Sequence, residues 1–108
     1  MLKIVWGDSV FIHFETVMEE NGTYVHVDPD PDSIKVVVEP FKTEPDEVIF
    51  EIPEVVRTDV GHYYALFHAD KEKLHSGKSY YVSIYWKKDG VQKCERVPVN
   101  IVPFDEQE

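Results

Sequence analysis

The run His26-Val-Asp-Pro-Asp-Pro-Asp-Ser-Ile-Lys-Val-Val-Val-Glu39 carries carboxylates at Asp28, Asp30, Asp32 and Glu39. That spacing matches positions one, three, five and twelve of a calcium-binding EF-hand loop, whose oxygens cage a hard divalent cation. Other features of the run argue against it. The sixth position of such a loop is glycine, because the chain turns sharply there with positive φ; here it is Ser33. Pro29 and Pro31 push Asp28 and Asp30 toward extended geometry, away from the inward curl a cage needs. Both flanks read as strands, where an EF-hand needs helices. The expectation is a stiff connector with solvated carboxylates and no stoichiometric calcium; a weak cation on Asp28, Asp30 or Asp32 is the alternative.

The five histidines, at 13, 26, 62, 68 and 75, are the other candidates for metal or acid-base chemistry. Strand alternation makes His13 and His26 possible cross-strand neighbours and puts His62 and His68 on one side of a later strand. In so acidic a chain a nearby carboxylate carries little information, and surface or rim histidines are expected. The single Cys94 can form neither an internal disulfide nor a cysteine-based zinc pattern. No base, orienting partner or glycine-rich turn beside it marks it as a nucleophile, and it reads as a semi-buried small apolar residue. No catalytic residue, metal ligand or cofactor is expected, and the chain reads as a non-enzyme.

The elements that must position these groups are strands. Apolar residues repeat with period two almost throughout, and no stretch keeps helical spacing over three turns. Val10, Ile12 and Phe14 alternate with Phe11, His13 and Glu15, and the turn signal Asn21-Gly22 precedes a short run over 23–27, so a first hairpin is expected there. Ile34, Val36 and Val38 share one face of a strand ended by Pro40, and 48–56 is a further run with Pro53 as a bulge or edge mark. Tyr63, Ala65 and Phe67 alternate with Tyr64, Leu66 and His68; the link 69–73 is long enough for one helical turn.

Tyr80, Val82, Ile84 and Trp86 lead into Asp89-Gly90, a strong hairpin signal, followed by a run over 91–102. Paired residues must share a face, which tests the register. A two-residue loop sets Val82 against Val97, Tyr80 against Val99 and Cys94 against Tyr85. A three-residue loop would set Val82 against Arg96 and bury a charge, so the two-residue loop is expected. Pro98 lacks an amide hydrogen and marks its strand as an edge or a bulge.

A chain of 108 residues fits one domain with its own core. Eleven Lys plus Arg against 21 Asp plus Glu give a formal charge of −10, which repels phosphate and leaves no basic patch for nucleic acid. No apolar run is long enough for a signal peptide or a membrane span, so no membrane partner and synthesis in the cytoplasm are expected. The fold class expected is all-β, an immunoglobulin-like β-sandwich of six to seven mostly antiparallel strands over residues 1–108, with 1–6 an N-terminal arm and 105–108 a frayed acidic tail.

Leu74-His-Ser-Gly77-Lys-Ser-Tyr80-Tyr-Val82-Ser-Ile84 resembles the L-x-x-G-x-x-Y-x-V-x-V run of fibronectin type III-like domains, in which the Tyr hydroxyl closes a corner onto nearby backbone. Asp59-Val-Gly61-His-Tyr63-Tyr-Ala65 resembles the D-x-G-x-Y corner of immunoglobulin domains. Chain order favours Tyr80 as the corner, because one strand follows it. The whole arrangement resembles the small immunoglobulin-like proteins encoded among tailed-phage virion genes, departing from them over 41–57, which is richer in Glu and Pro.

That resemblance implies a non-enzymatic phage virion protein, a head, neck or tail component made in the host cytoplasm and located in the virion. Its expected partners are other virion proteins of the capsid, neck or tail, with a homo-oligomer as a further possibility. The alternative is a cell-encoded binding module for carbohydrate or peptide. Second-face aromatics, Phe11, Tyr64, Tyr81 and Tyr85, are candidate interface anchors unless another layer folds over them. Leu2, Ile4 and Trp6 form an apolar segment expected to be free for pairing with a neighbour and dispensable for folding. The protein-interface residues expected are thus Leu2, Ile4 and Trp6, with Phe11, Tyr81 and Tyr85 as face contacts.

Overall fold

A computed structural model describes residues 1–41 and 49–103; the acidic tail and the beginning of the 48–56 run lie outside the described residues. The strands are β1 (Leu2–Val5), β2 (Ser9–Glu15), β3 (Val17–Glu20), β4 (Thr23–His26), β5 (Lys35–Pro40), β6 (Phe50–Ile52), β7 (Val55–Asp59), β8 (His62–His68), β9 (Ser79–Lys88) and β10 (Val91–Val102). One sheet has the order β1-β10-β9-β5-β6, a second β2-β8-β7, and β3-β4 stands apart as a hairpin. All pairs are antiparallel except β1 with β10. This is an all-β sandwich with immunoglobulin-like strand order.

The two larger sheets meet over one core. Ile12 and Phe14 from β2 and Tyr63, Ala65 and Phe67 from β8 face Val36 and Val38 from β5, Tyr80, Val82, Ile84 and Trp86 from β9, and Val99 and Ile101 from β10. The alternation read from the chain therefore puts the expected residues inside. It also explains the tight turns: Asn21-Gly22 and Asp89-Gly90 each hold positive φ at both positions, the geometry that matches strand twist in a two-residue loop. The last hairpin keeps the expected register, with Val82 opposite Val97, Tyr80 opposite Val99 and Cys94 opposite Tyr85.

Among the described residues ten strands stand where six to seven were expected, and the extra ones have distinct causes. The 48–56 run divides at Pro53 and Glu54, where the chain leaves the five-stranded sheet at β6 and enters the three-stranded sheet at β7; Pro53 marks a change of sheet. The first hairpin forms from β3 and β4, while β2 pairs with β8. His13 consequently lies opposite Tyr64 and His26 opposite Val17, so the two are not cross-strand neighbours. Residues 1–6 are not a free arm: β1 pairs in parallel with Val99–Val102, and Ile4 and Val5 are each only 3% exposed. The apolar end of β10 had an open edge, and the chain's own first strand fills it. Over those residues β10 is interior; its 91–98 portion, ending at Pro98, has no second neighbour among the described residues. Cys94 lies in that portion and is exposed rather than semi-buried.

The Tyr80 ring is buried and its hydroxyl accepts the His75 backbone N–H at 2.9 Å, closing the corner expected from the sequence. Tyr80→Phe leaves that amide without its acceptor and is expected to cost about 1–2 kcal/mol in urea unfolding. Tyr81→Phe keeps the ring stacked against Phe41 and is expected to cost under about 0.5 kcal/mol. Equal losses at the two positions would contradict the assigned corner.

Candidate functional site

Asp28, Asp30 and Asp32 do not act as one cage. The Asp28 carboxylate accepts two bonds from Arg57, at 3.0 Å each from Nε and Nη2, and the Gly61 N–H at 3.1 Å. Arg57 first, then the Gly61 amide, holds its carboxyl below the usual carboxylate range. Asp30 turns to a different partner, the β9–β10 turn, where its two oxygens accept the Asp89 and Gly90 N–H groups at 3.1 Å each. Glu39 accepts the Tyr85 hydroxyl at 2.9 Å. Asp28 and Asp30 are thus hydrogen-bonded while still partly exposed to solvent: one ties the connector to the β7–β8 turn, the other to the β9–β10 turn.

The bonds from Gly90 and Asp89, in that order, lower the Asp30 pKa, and Lys88 and Lys87 add a smaller pull in the same direction. A carboxyl whose folded pKa lies below its unfolded value stabilises the fold at neutral pH and loses that contribution as pH falls through the folded value. Wild type is therefore expected to melt above Asp30→Asn at pH 7, with the gap closing as pH falls below about 4. Melting curves from pH 7 to pH 2 check this; a constant gap would contradict the cause assigned to the shift.

The outer face of the β2-β8-β7 sheet carries the other functional candidates. Antiparallel pairing sets Phe11 opposite Leu66, His13 opposite Tyr64 and Glu15 opposite His62, while Val56 of β7 lies opposite Tyr64. Phe11 is 64% exposed, Val56 57% and Tyr64 39%, and the three line an apolar depression. The Phe11 and Tyr64 rings meet edge to face, with centroids 6.3 Å apart. This face was expected for Phe11 and Tyr64 from their alternation. Val56 was not singled out, because only the sheet change at Pro53 brings it beside Tyr64.

Next to this patch lies a cluster of imidazoles around one carboxylate. His26 Nε2 is 2.6 Å from Glu15 Oε1, His62 Nδ1 is 3.6 Å from the same oxygen, and His13 Nε2 is 3.5 Å from His62 Nδ1. The His26 hydrogen bond is the main cause of a lowered Glu15 pKa, with the charges of His26, His62 and His13 adding to it. The His62 ring stacks between His26, 4.5 Å away, and His13, 5.7 Å away.

The remaining interface candidates are engaged within the chain. Ile4 belongs to the core; Leu2 is exposed on the edge strand; Trp6 is part-buried and donates its indole N–H to the Leu74 carbonyl at 3.0 Å. Tyr81 is half-buried between Phe41, 4.2 Å away, and the Arg96 guanidinium, 5.6 Å from its ring. Half-buried Tyr85 is held by Glu39. Among the expected contacts Phe11 is the most exposed, an apolar ring whose aromatic neighbour Tyr64 lies on the same face. Comparison with known proteins adds no relative: no family model, no curated protein and no solved structure matches the chain.

Proposed function

We propose that this protein works by docking to another protein, as a non-enzymatic accessory component of a tailed-phage particle. The observation that carries the docking reading is the exposed trio Phe11, Val56 and Tyr64 on the outer face of a hydrogen-bonded sheet. Aromatic side chains fixed on strands lose little conformational freedom on binding, and such residues dominate the energetics of protein interfaces. The particle assignment rests on the resemblance of the turn and strand pattern to small virion proteins of that class. A formal charge of −10 suits a partner whose apolar patch is rimmed by Lys and Arg, and disfavours a place against packaged DNA.

Washed particles should contain the protein in fixed ratio to a major capsid or tail protein. Phe11→Ala with Tyr64→Ala is expected to weaken that association by at least about 30-fold, the effect of losing roughly 2 kcal/mol at an interface centre, with the melting temperature nearly unchanged. Absence of the protein from washed particles would remove the particle assignment. Undiminished incorporation of the folded double variant would remove this face as the docking surface.

A further inference from the structure

We propose that His13, Glu15, His26 and His62 form a binding site for a divalent transition metal of the zinc class. The donor set is three imidazoles and one carboxylate, the borderline nitrogen and oxygen chemistry that such ions take and that calcium and magnesium do not. The spacing of Glu15, His26 and His62 suits one ion, and His13 adjoins the group through His62. Ligands about 2.05 Å from a tetrahedral centre lie about 3.3 Å from each other. His62 Nδ1 is 3.5 Å from His13 Nε2 and 3.6 Å from Glu15 Oε1. The Glu15, His26 and His62 donor atoms all fall within 4.8 Å of one another.

His26 Nε2 and Glu15 Oε1 are closer, at 2.6 Å, because a proton joins them. The ion takes that proton's place. To face a common centre the stacked rings must rotate about χ2, a broad torsion for imidazole.

The backbone beneath these side chains is already ordered, which is what a metal site on a folded protein requires. His13, Glu15 and His62 sit on one antiparallel pair, with Glu15 and His62 directly opposite. His26 arrives from β4, whose end is fixed by Thr16: its hydroxyl donates to the Val27 carbonyl at 2.6 Å, its carbonyl accepts the Val27 N–H at 3.0 Å, and its N–H donates to the Gly61 carbonyl at 2.9 Å. An ion held here joins the β3–β4 hairpin to the three-stranded sheet. It also borders the apolar patch, since the His13 ring packs on Tyr64 with centroids 5.1 Å apart.

The test is titration of the metal-free full chain with ZnCl2, followed by calorimetry and by melting temperature, with CaCl2 alongside. One zinc per chain is expected. At free zinc a hundredfold above Kd the melting temperature should rise by about 10 °C. His62→Gln, and separately His13→Gln with His26→Gln, should lose the shift while keeping a metal-free melting temperature close to wild type. Co2+ should give the intense visible absorption of a tetrahedral site, lost in the same variants. No zinc-dependent shift, an equal shift with calcium, or a zinc shift that survives His62→Gln and disappears with substitutions at His68, His75 or Cys94 would each overturn the assignment.

Discussion

Deleting residues 1–6 is expected to unfold much of the protein at physiological temperature instead of releasing a dispensable arm. β1 contributes Ile4 and Val5, both buried, and Ile4 belongs to the central cluster with Val99 and Ile101. Losing each such side chain from a core costs about 2–4 kcal/mol, through lost burial and the cavity left behind. The deletion also strips the parallel ladder from Val99–Val102 and the indole bond from Trp6 to Leu74, next to the Tyr80 corner. The sum, on the order of 5 kcal/mol or more, is comparable with the whole stability of a typical domain. Urea unfolding monitored by near-ultraviolet circular dichroism measures it. A truncated chain melting within about 5 °C of the full one would show that the β1–β10 pairing carries little, and would restore the segment as a candidate for pairing with a neighbour.

What the sequence made legible follows the range of the interactions involved. The β9–β10 hairpin could be worked out on paper because Asp89-Gly90 sets the loop and one rule, apolar opposite apolar, sets the register. The faces of β2 and β8 were legible for the same reason: period two puts Phe11, His13 and Glu15 on one side, and His62, Tyr64, Leu66 and His68 on one side. Nothing local says that these two faces are the same face. That requires β2 to pair with β8 across some fifty residues of chain, Glu15 meeting His62. Hence the imidazole cluster stayed out of view, although its members had each been noted as histidines. The acidic connector shows the same limit. Its carboxylates stood out by spacing, and its prolines and Ser33 argued against the calcium loop; the chain nevertheless turns there, with positive φ at Asp32 and the Ser33 N–H bonded to the Asp30 carbonyl. The partners that occupy Asp28 and Asp30, namely Arg57 with Gly61 and Asp89 with Gly90, lie 29 to 60 residues away. The β1–β10 pairing failed to register because a parallel pair leaves no turn signal between its strands.

Gly61→Ala is expected to be the most damaging of the single glycine substitutions, and it separates two reasons for having glycine at a turn. Gly61 has φ of 71°, a conformation that costs a residue with Cβ about 1–2 kcal/mol. Gly77, at φ 83°, and Gly90, at φ 79°, face the same penalty, yet an added Cβ at either would meet nothing within 4 Å. At Gly61 it would lie 2.8 Å from the Thr16 carbonyl oxygen, 2.9 Å from His26 Cβ and 3.1 Å from the Val27 nitrogen. Two of those three are backbone atoms, already engaged in the bonds among Thr16, Val27 and Gly61, so neither can withdraw without breaking one. Relief must come from moving the whole β3–β4 hairpin away from the β7–β8 turn. That also takes His26 from Glu15 and weakens the Gly61 N–H bond to Asp28. Gly61→Ala should therefore cost about 3–5 kcal/mol, against about 1–2 for Gly77→Ala or Gly90→Ala. In melting temperature the first is a fall of about 15 °C or more and the others about 5–10 °C. Because the clash acts on the strand carrying His26, zinc binding should also weaken in folded Gly61→Ala while remaining intact in Gly77→Ala. Equal destabilisation by all three substitutions would mean that backbone conformation alone selects glycine at 61 and that the hairpin is not packed against this turn.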